Sequence, residues 1–406
     1  MTIFQKTSLI FVCSFCLACC SFKTNNAGSM SANILSTSCN YYDYFSSSNP
    51  NGFKTTSSFS YHESSSQQNI SDNHLLVPSY YLEGGYLLDK MEKVKTSTSL
   101  ESSASFAFIT DLHLYHNSLS SKELMKYVLD NSEIPFVFFG GDVPVAYANQ
   151  SELAEEECLY QANTWDSWVN YWGKERVYQM RGNHDYITDV REGNNFYIMS
   201  EDETHNRIVS NYNNDVSIGD NLQNYYYFDL INQKIRFIVI DPYVFLDAYP
   251  RVITNYISSI QISWLLELLD NSDGYQIIMF CHQSCNKKLT SYNDNMSALH
   301  EIMSAYKNKK TFDGAYGGKM WSHDFSDKNG DLVCIISGHS HTDESNIDDG
   351  VLSIVTTCDA MYSKHGEDRT QGTINESAFD IFSVDTINKR IETTRIGAGD
   401  DRIWTY

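Results

Sequence analysis

The sequence predicts an α/β fold, and three of its features lead to that prediction. Short apolar runs that are typical of buried strands alternate with longer segments in which apolar residues recur at helical spacing. Several of the strand-like runs end directly in Asp, Asn or His, the side chains that commonly bind metal ions. At 406 residues, the chain is also long enough for one large α/β core with extensions. We therefore expect one main domain with polar side chains gathered where its strands end.

The first strand-like run is Phe106-Ala107-Phe108-Ile109, and Asp111 and His113 follow it. Because these two residues come where the chain must leave a sheet, a carboxylate and an imidazole would share the first loop. An Asp-x-His pair alone is a weak signal, since most such pairs lie on a protein surface by chance. Its weight comes from four later strands that end in the same way.

The later elements alternate between helix and strand. A helix over residues 120–129 opens with Ser120 and has Glu123 three residues later, which is the spacing of a capping box. The other predicted helices cover residues 152–171, 260–269 and 294–306. The other predicted strands cover residues 134–139, 176–180, 223–231, 234–241, 275–281, 331–337, 352–356, 378–384 and 390–396. This alternation is the pattern of an α/β domain.

Side chains of the kind that bind metal ions follow these strands directly. They are Asp111, His113, Asp142, Asn183, His282, His339 and His341. A mixture of oxygen and imidazole donors fits divalent transition ions such as Mn, Fe or Zn better than Ca or Mg, which prefer oxygen alone. Seven ligands suit two ions that share one carboxylate. We expect one ion to be bound by Asp111, His113 and His341. The other would be bound by Asn183, His282 and His339, with Asp142 bridging the two.

The net charge restricts the classes of partner. The chain has 29 Lys and Arg residues against 51 Asp and Glu residues, for a formal charge of −22. Such a charge is a poor match for nucleic acid, whose phosphate backbone is bound chiefly through basic side chains. A nucleic acid scaffold is therefore not expected. A small phosphorylated substrate is compatible with this charge, because bound divalent ions reverse the local field at a site.

The N-terminus has the pattern of an export signal. Lys6 precedes an apolar stretch over residues 8–18 that is too short to cross a bilayer stably. Leu17-Ala18-Cys19-Cys20 resembles a bacterial lipobox, in which either cysteine would be acylated; the alternative is an ordinary cleaved signal. We predict that residues 1–20 are a signal peptide. The exported protein would be attached by an N-terminal lipid anchor to the periplasmic or extracellular face of a bacterial membrane.

Composition changes twice after the signal. Residues 21–79 are rich in Ser, Asn and Thr and have few periodic apolar positions, which predicts a polar tether. Tyr, Leu and Met recur between charges over residues 80–95, so we expect residues 80–103 to contain a helix that packs on the domain. The main domain would then cover residues 104–406.

The cysteines beyond the signal are too widely spread to form a zinc signature. Cys281 and Cys334 lie within apolar strand runs, where a free cysteine is most often a small buried hydrophobic residue. Export would permit disulfides, but the spacing does not indicate a pairing.

Taken in order, these motifs resemble those of the calcineurin-like metallophosphoesterases. The motifs are Asp-x-His, Gly-Gly-Asp, Gly-Asn-His-Asp, a single His after a strand, and Gly-His-x-His, within roughly residues 104–400. The resemblance implies a two-sheet sandwich flanked by helices, with the site at the strand ends and the metal ligands given above. It also implies that His184 is the general acid beside the leaving group and that Asp185 orients it. The implied activity is hydrolysis of phosphate esters by a hydroxide that bridges two metal ions.

The chain departs from the family pattern at two positions. Thr110 stands where the family often has Gly. Val145 stands where many members have Asp or Asn, and where purple acid phosphatases, a branch of the same superfamily, have a Tyr that binds iron. Val145 therefore argues against that branch. The C-terminal residues 394–402 resemble the tail of uncharacterised bacterial members.

A non-catalytic cell-surface binding module that retains the sandwich is the alternative to an enzyme. Such a protein would be expected to have lost metal ligands, whereas every expected ligand position here holds a suitable residue. Phosphate monoesters, diesters and pyrophosphates all remain candidate substrates, because the loops around the site decide access.

Overall fold

A computed structural model of the protein describes residues 77–98, 103–144, 154–185, 201–210, 217–218, 223–246, 252–290, 294–361 and 369–406. The predicted signal peptide, nearly all of the predicted tether, and Val145 lie outside the described residues. Among the described helices, none combines the length and the apolar character that a membrane span requires.

The described strands and helices alternate over much of the chain. The strands are β1 Ser103–Ile109, β2 Val137–Phe139, β3 Val177–Gln179, β4 Ser217–Ile218, β5 Tyr226–Leu230, β6 Ile235–Ile240, β7 Tyr243–Leu246, β8 Val252–Asn255, β9 Gln276–Cys281, β10 Thr311–Tyr316, β11 Lys319–Asp324, β12 Asp331–Ser337, β13 Glu344–Asp348, β14 Val351–Val355, β15 Ala378–Asp385, β16 Arg390–Gly397 and β17 Arg402–Thr405. The helices are α1 Ser79–Leu82, α2 Tyr86–Thr98, α3 Ser118–Asn131, α4 Ala154–Trp172, α5 Glu201–His205, α6 Ser259–Asp270 and α7 Asp294–Lys307, with short 3-10 helices at Glu83–Gly85 and Lys174–Arg176 and a π-helical turn at Asn206–Ser210.

Two large mixed sheets form the framework. The first has the strand order β17-β16-β15-β1-β2-β3, and the second has the order β13-β14-β12-β9-β6-β5-β4. In the first sheet β1, β2 and β3 are parallel, and in the second β6, β9, β12 and β14 are parallel. Parallel neighbours end at the same edge of a sheet, so the loops that follow them lie side by side.

The two sheets face each other across an aromatic core. Phe138 of β2 in the first sheet stacks on Phe280 of β9 in the second, with ring centroids 3.8 Å apart. Phe106 of β1 likewise meets Phe237 of β6 at 5.6 Å, edge to face. All four side chains are buried. The predicted two-sheet α/β sandwich is confirmed.

The outer face of the second sheet is also buried. Ile238 and Met279 pack with Leu265 of α6 and Ile302 of α7 in one apolar cluster. Because β6, β9 and β12 are covered on both faces, their sequences are continuous apolar runs rather than alternating ones. Cys281 and Cys334 belong to such strands, and both are buried free thiols.

Helix α3 begins earlier than the sequence predicts. It starts at Ser118 rather than Ser120, and its N-cap residue is Asn117, which makes no side-chain cap hydrogen bond. The amide of Asn117 instead donates to the backbone oxygen of Asp359 at 2.7 Å. The predicted capping box is therefore wrong, because tertiary contacts rather than a local cap determine where this helix begins.

The other boundaries differ in smaller ways. The segment predicted as one helix over residues 80–95 contains α1 and α2, separated by a kink at Gly84, whose φ is 63°. The hairpins β7–β8 and β10–β11 and the strands β13 and β17 were not predicted. β10 and β11 expose many of their residues, so they lack the apolar pattern that marks a strand in sequence.

A buried charge network ties the first sheet to a loop of the second. Arg395 of β16 is fully buried, and its Nε donates to Asp380 Oδ1 at 2.9 Å. Its Nη2 donates to Asp343 Oδ1 at 2.7 Å, in the loop after β12. Arg402 Nη2 adds a second contact to Asp380 at 2.6 Å. These contacts hold the pKa of the buried Asp380 carboxyl below its usual value, to about 2, despite the opposing effect of burial.

We expect Arg395→Met to lower the free energy of unfolding by about 3 to 5 kcal/mol, because Asp380 would stay buried without its main partner. Urea denaturation measures this change. The control is Lys288→Met, which removes the exposed ion pair with Asp348 and should cost at most about 1 kcal/mol. Equal losses in the two variants would contradict a stabilising role for the network.

Candidate metal centre

All the predicted metal ligands lie at one shared edge of the two sheets. Those of the first sheet follow the carboxyl ends of β1, β2 and β3, and those of the second follow β9 and β12. Ligands from both sheets approach closely: Asp111 Oδ1 lies 3.0 Å from His341 Nε2, and Asp142 Oδ2 lies 3.1 Å from His282 Nε2. The strand ends thus bring together side chains that are far apart in sequence.

The first group of ligand atoms belongs to Asp111, His113 and His341, which offer one atom each within 4.8 Å of one another. His113 Nε2 lies 3.3 Å from His341 Nε2 and 3.9 Å from Asp111 Oδ1. All three side chains are buried. This is the set that the sequence assigns to one ion.

The second group comprises Asp142, His282 and His339. The rings of His282 and His339 are 5.3 Å apart, roughly perpendicular. Asn183, the remaining predicted ligand of this ion, lies in the loop whose next residue, His184, donates its backbone N–H to Asp142 Oδ1 at 2.7 Å. The loop that carries Asn183 is therefore held against the Asp142 carboxylate.

Asp142 also belongs to a third group, with His113 and His184. The rings of His113 and His184 are 4.7 Å apart and meet edge to face. Asp142 is therefore common to a group with His113 and a group with His282. Its assignment as the bridging ligand stays a prediction. His184 lies beside this carboxylate and is only partly buried.

The ligand loops have a strained backbone. Positive φ angles occur at several non-glycine ligand positions: Asp111 (53°), His113 (46°), Asp142 (55°), His339 (67°) and His341 (60°). Such angles cost free energy for residues with a Cβ and cluster at functional sites. They turn the chain sharply after each strand and aim the side chains into the centre.

Two glycines in the motifs are required by close packing of these loops. A Cβ at Gly182 would overlap Asp142 Oδ1, and a Cβ at Gly338 would overlap Thr110 Oγ1. Thr110, which replaces the family's Gly, donates its hydroxyl to Asp111 Oδ2 at 2.6 Å. The departure at residue 110 therefore adds a contact that orients the first aspartate.

The imidazoles of His282 and His113 are oriented for binding through Nε2. His282 Nδ1 lies 2.6 Å from the Gly140 carbonyl oxygen, and His113 Nδ1 lies 3.3 Å from that of Pro144. A ring that donates its Nδ1–H to a carbonyl presents the Nε2 lone pair to a metal. His282 Nε2 is buried and makes no well-aligned hydrogen bond, although Asp142 is close. The residues present therefore fit divalent ions at this position.

The electrostatics agree with that fit. Burial raises the pKa of both Asp111 and Asp142, but nearby imidazoles, above all His341 for Asp111 and His282 for Asp142, outweigh it and hold both pKa values below normal. For His282, burial opposes protonation, yet the two carboxylates raise the pKa to about 10. Burial lowers the pKa of His339 to about 4. The carboxylates thus favour positive charge between them.

Asp185 connects two of the ligand loops through backbone amides. Its buried carboxylate accepts backbone N–H groups from Gly182 at 2.6 Å, Asp142 at 3.1 Å and Val143 at 2.9 Å. The Asp185 carboxylate therefore joins the Gly-Asn-His-Asp loop to the Gly-Gly-Asp loop. The role that the resemblance implies for it, orientation of His184, stays a prediction.

Sequence reasoning missed three residues beside the centre. Arg181 Nε donates to Asp241 Oδ1 at 2.9 Å, and both side chains are buried. The hydroxyl of Tyr243 donates to Asn183 Oδ1 at 3.4 Å. The partners of Arg181 lie 60 residues and more further along the chain, so a short stretch of sequence does not reveal them. The one local sign that Arg181 belongs to the site is its position directly before the Gly-Asn-His-Asp motif.

A sandwich of two sheets with acidic and imidazole groups at its shared edge is the architecture of a metallophosphoesterase. Residues 104–343 match the family model described as calcineurin-like phosphoesterase, and the chain belongs to this family. The match ends just after the Gly-His-Ser-His loop, so it covers every predicted ligand.

The solved structures that this chain is similar to are distant in sequence. A dimetal phosphatase from Danio rerio has 14% identity and a TM-score of 0.50, covering 75% of this chain and 99% of its own. A putative 5'-nucleotidase from Staphylococcus aureus has 12% identity and a TM-score of 0.37, covering 75% of this chain and 54% of its own. At 14% identity, the first similarity shows the fold alone. Among curated proteins no match was found.

We expect Asp142→Ala to lower the occupancy of both metal ions, because a bridging carboxylate serves each of them. Elemental analysis of purified protein, after reconstitution with Mn, Zn and Fe, should find close to two ions in the wild type. The matched control is Asp270→Ala, which removes another carboxylate paired with an imidazole, that of His323 at 3.0 Å, outside the centre. Retention of both ions by Asp142→Ala would contradict the bridging assignment.

Proposed function

We propose that the protein is a dinuclear metal-dependent hydrolase of phosphate esters, with Mn, Fe or Zn as its metal ions. The observation that carries this proposal is that Asp142 belongs both to a group with His113 and to a group with His282, in a chain of the calcineurin-like phosphoesterase family. Two buried carboxylates surrounded by imidazoles favour divalent cations. A small phosphorylated molecule is the substrate class that such a centre binds.

When bound, the two ions would neutralise charge on the phosphoryl oxygens and lower the pKa of a bound water. Asp111, His113 and His341 would hold one ion. Asn183, His282 and His339 would hold the other, and Asp142 would bind both. The Asp111 carboxylate is held in place by hydrogen bonds to its Oδ2 from the Thr110 hydroxyl at 2.6 Å and the His339 backbone N–H at 2.9 Å.

His184 is the residue that we assign as general acid. Its backbone N–H donates to Asp142, its ring lies against that of His113, and its side chain is partly exposed. A protonated imidazole there would donate its proton to the leaving oxygen as the bond to phosphorus breaks. This role gives a different mutant phenotype from that of a metal ligand.

A substrate comparison tests both the function and this assignment. Reconstituted wild type should hydrolyse p-nitrophenyl phosphate, bis-p-nitrophenyl phosphate or a member of a nucleotide panel. A nitrophenolate leaves without a proton, whereas an alkoxide needs one. General acids typically contribute about 10² to 10⁴-fold. His184→Ala should therefore keep two ions and lose far more rate on an alkyl phosphoester than on the matching p-nitrophenyl ester.

The control for this comparison is His323→Ala, a change on β11 that should leave both rates unchanged. If His184→Ala loses a metal ion, or slows both esters by the same factor, His184 must be reassigned to coordination or substrate binding. A wild type that binds no metal after reconstitution would overturn the catalytic proposal. That result would favour the non-catalytic binding module.

We also propose that the protein is exported and held at a bacterial membrane by acylation of Cys20 or Cys19. The support is the short apolar stretch directly before these cysteines and the polar segment after them. One acyl chain binds a membrane only marginally, so stable anchoring implies more than one.

Fractionation of expressing cells tests the anchor. The wild type should be found with membranes, and the double variant Cys19→Ser/Cys20→Ser should lose that association. Cys39→Ser, a cysteine change outside the lipobox, is the control and should behave as the wild type does. Identical partitioning of the wild type and the double variant would refute the lipid anchor.

A further inference from the structure

Asn183 is the weakest donor among the predicted ligands, because an amide oxygen is less basic than an imidazole nitrogen or a carboxylate oxygen. Its contribution to a metal site therefore depends on the orientation of the amide. The one side-chain hydrogen bond that the described structure assigns to Asn183 Oδ1 comes from the Tyr243 hydroxyl, at 3.4 Å. Tyr243 is 2% exposed, and its ring centroid lies 6.2 Å from that of His282. The tyrosine therefore borders the second group of ligands.

The backbone of Tyr243 is held on both sides by a buried ion pair. Arg181 Nη2 donates to the Tyr243 carbonyl oxygen at 2.6 Å, and the Tyr243 N–H donates to Asp241 Oδ1 at 3.2 Å. Arg181 and Asp241 also pair directly, with Nη2 and Oδ2 2.5 Å apart. Gln261 of α6 fixes Asp241 in turn, through hydrogen bonds to its backbone N–H and carbonyl.

These contacts connect Tyr243 twice to the same ligand loop. Arg181 lies two residues before Asn183, so this loop provides both the arginine that donates to the Tyr243 carbonyl oxygen and the amide that the Tyr243 hydroxyl contacts. The position of the hydroxyl relative to Asn183 is therefore set by a rigid frame.

We propose that Tyr243 is a positioning residue for the second metal ion. Its hydroxyl donates to one lone pair of Asn183 Oδ1 and leaves the other lone pair directed at the ion that Asn183, His282 and His339 would bind. This inference rests on the proposed dinuclear function. Loss of a hydrogen bond that orients a metal ligand typically lowers metal affinity about 10 to 100-fold.

Tyr243→Phe tests the proposal because it removes the hydroxyl and keeps the ring. Stripped full-length protein is titrated with Zn by calorimetry, with two binding events expected for the wild type. In Tyr243→Phe one event should weaken about 10 to 100-fold, and the other should keep its affinity. Asn183→Ala should weaken the same event. The double variant Tyr243→Phe/Asn183→Ala should bind zinc no more weakly than Asn183→Ala, because the tyrosine hydroxyl acts only through the Asn183 amide.

The matched control is Tyr306→Phe. Tyr306 is equally buried, and its hydroxyl donates to the Ser272 carbonyl oxygen at 3.5 Å, away from the ligand loops. Tyr306→Phe should bind both zinc ions with the affinities of the wild type. Thermal unfolding of the stripped proteins establishes that the two phenylalanine variants are folded.

Two results would overturn the positioning role. If Tyr243→Phe binds both ions with wild-type affinity, Tyr243 serves packing alone. If wild type loaded with ferric iron shows a phenolate charge-transfer band that Tyr243→Phe abolishes, the tyrosine is itself a ligand. If the wild type binds no ions, the proposed function and this inference both fail. If the wild type binds two ions and Tyr243→Phe binds them equally well, this inference alone fails.

Discussion

The pairing of two buried aspartates from one sheet with imidazoles from the other is the interaction on which the rest of the structure depends. Asp111 and Asp142 are at most 1% exposed, and His282 and His341 approach them from the second sheet. A buried carboxylate is costly unless it is paired or binds a cation. The two sheets must therefore be held at a fixed separation and register, because a small shift would leave these charges without partners.

The strain in the ligand loops is offset by the core beneath them. Residues held at unfavourable φ angles cost about 1 to 3 kcal/mol each, and Asp111, Asp142 and His339 are all of this kind. Burial of one large apolar side chain contributes about 1.5 to 3 kcal/mol, and phenylalanines such as Phe138 and Phe280 interlock between the sheets. A rigid apolar interior thus supports strained loops whose side chains are aimed at one point.

Further polar contacts brace the centre from outside. The carboxylate of Asp185 joins the ligand loops after β2 and β3 through backbone amides. Arg395 connects β16 to Asp343, two residues beyond His341. Each of these contacts fixes a loop that carries a predicted ligand. Such bracing suits the proposed dinuclear chemistry, which depends on the spacing of two ions and tolerates little movement of their donors.

The α/β class and the ligand-bearing loops follow from local patterns in the sequence, because apolar periodicity and the residues directly after each strand are properties of short segments. The partners of Asp185, Tyr243 and Arg395 were decided only by the tertiary structure. Arg181 and Asp241 are 60 residues apart, and their contact exists only once β3 and β6 lie in facing sheets. Contacts of this kind depend on how the two sheets pack against each other, and that packing cannot be predicted from a short stretch of sequence.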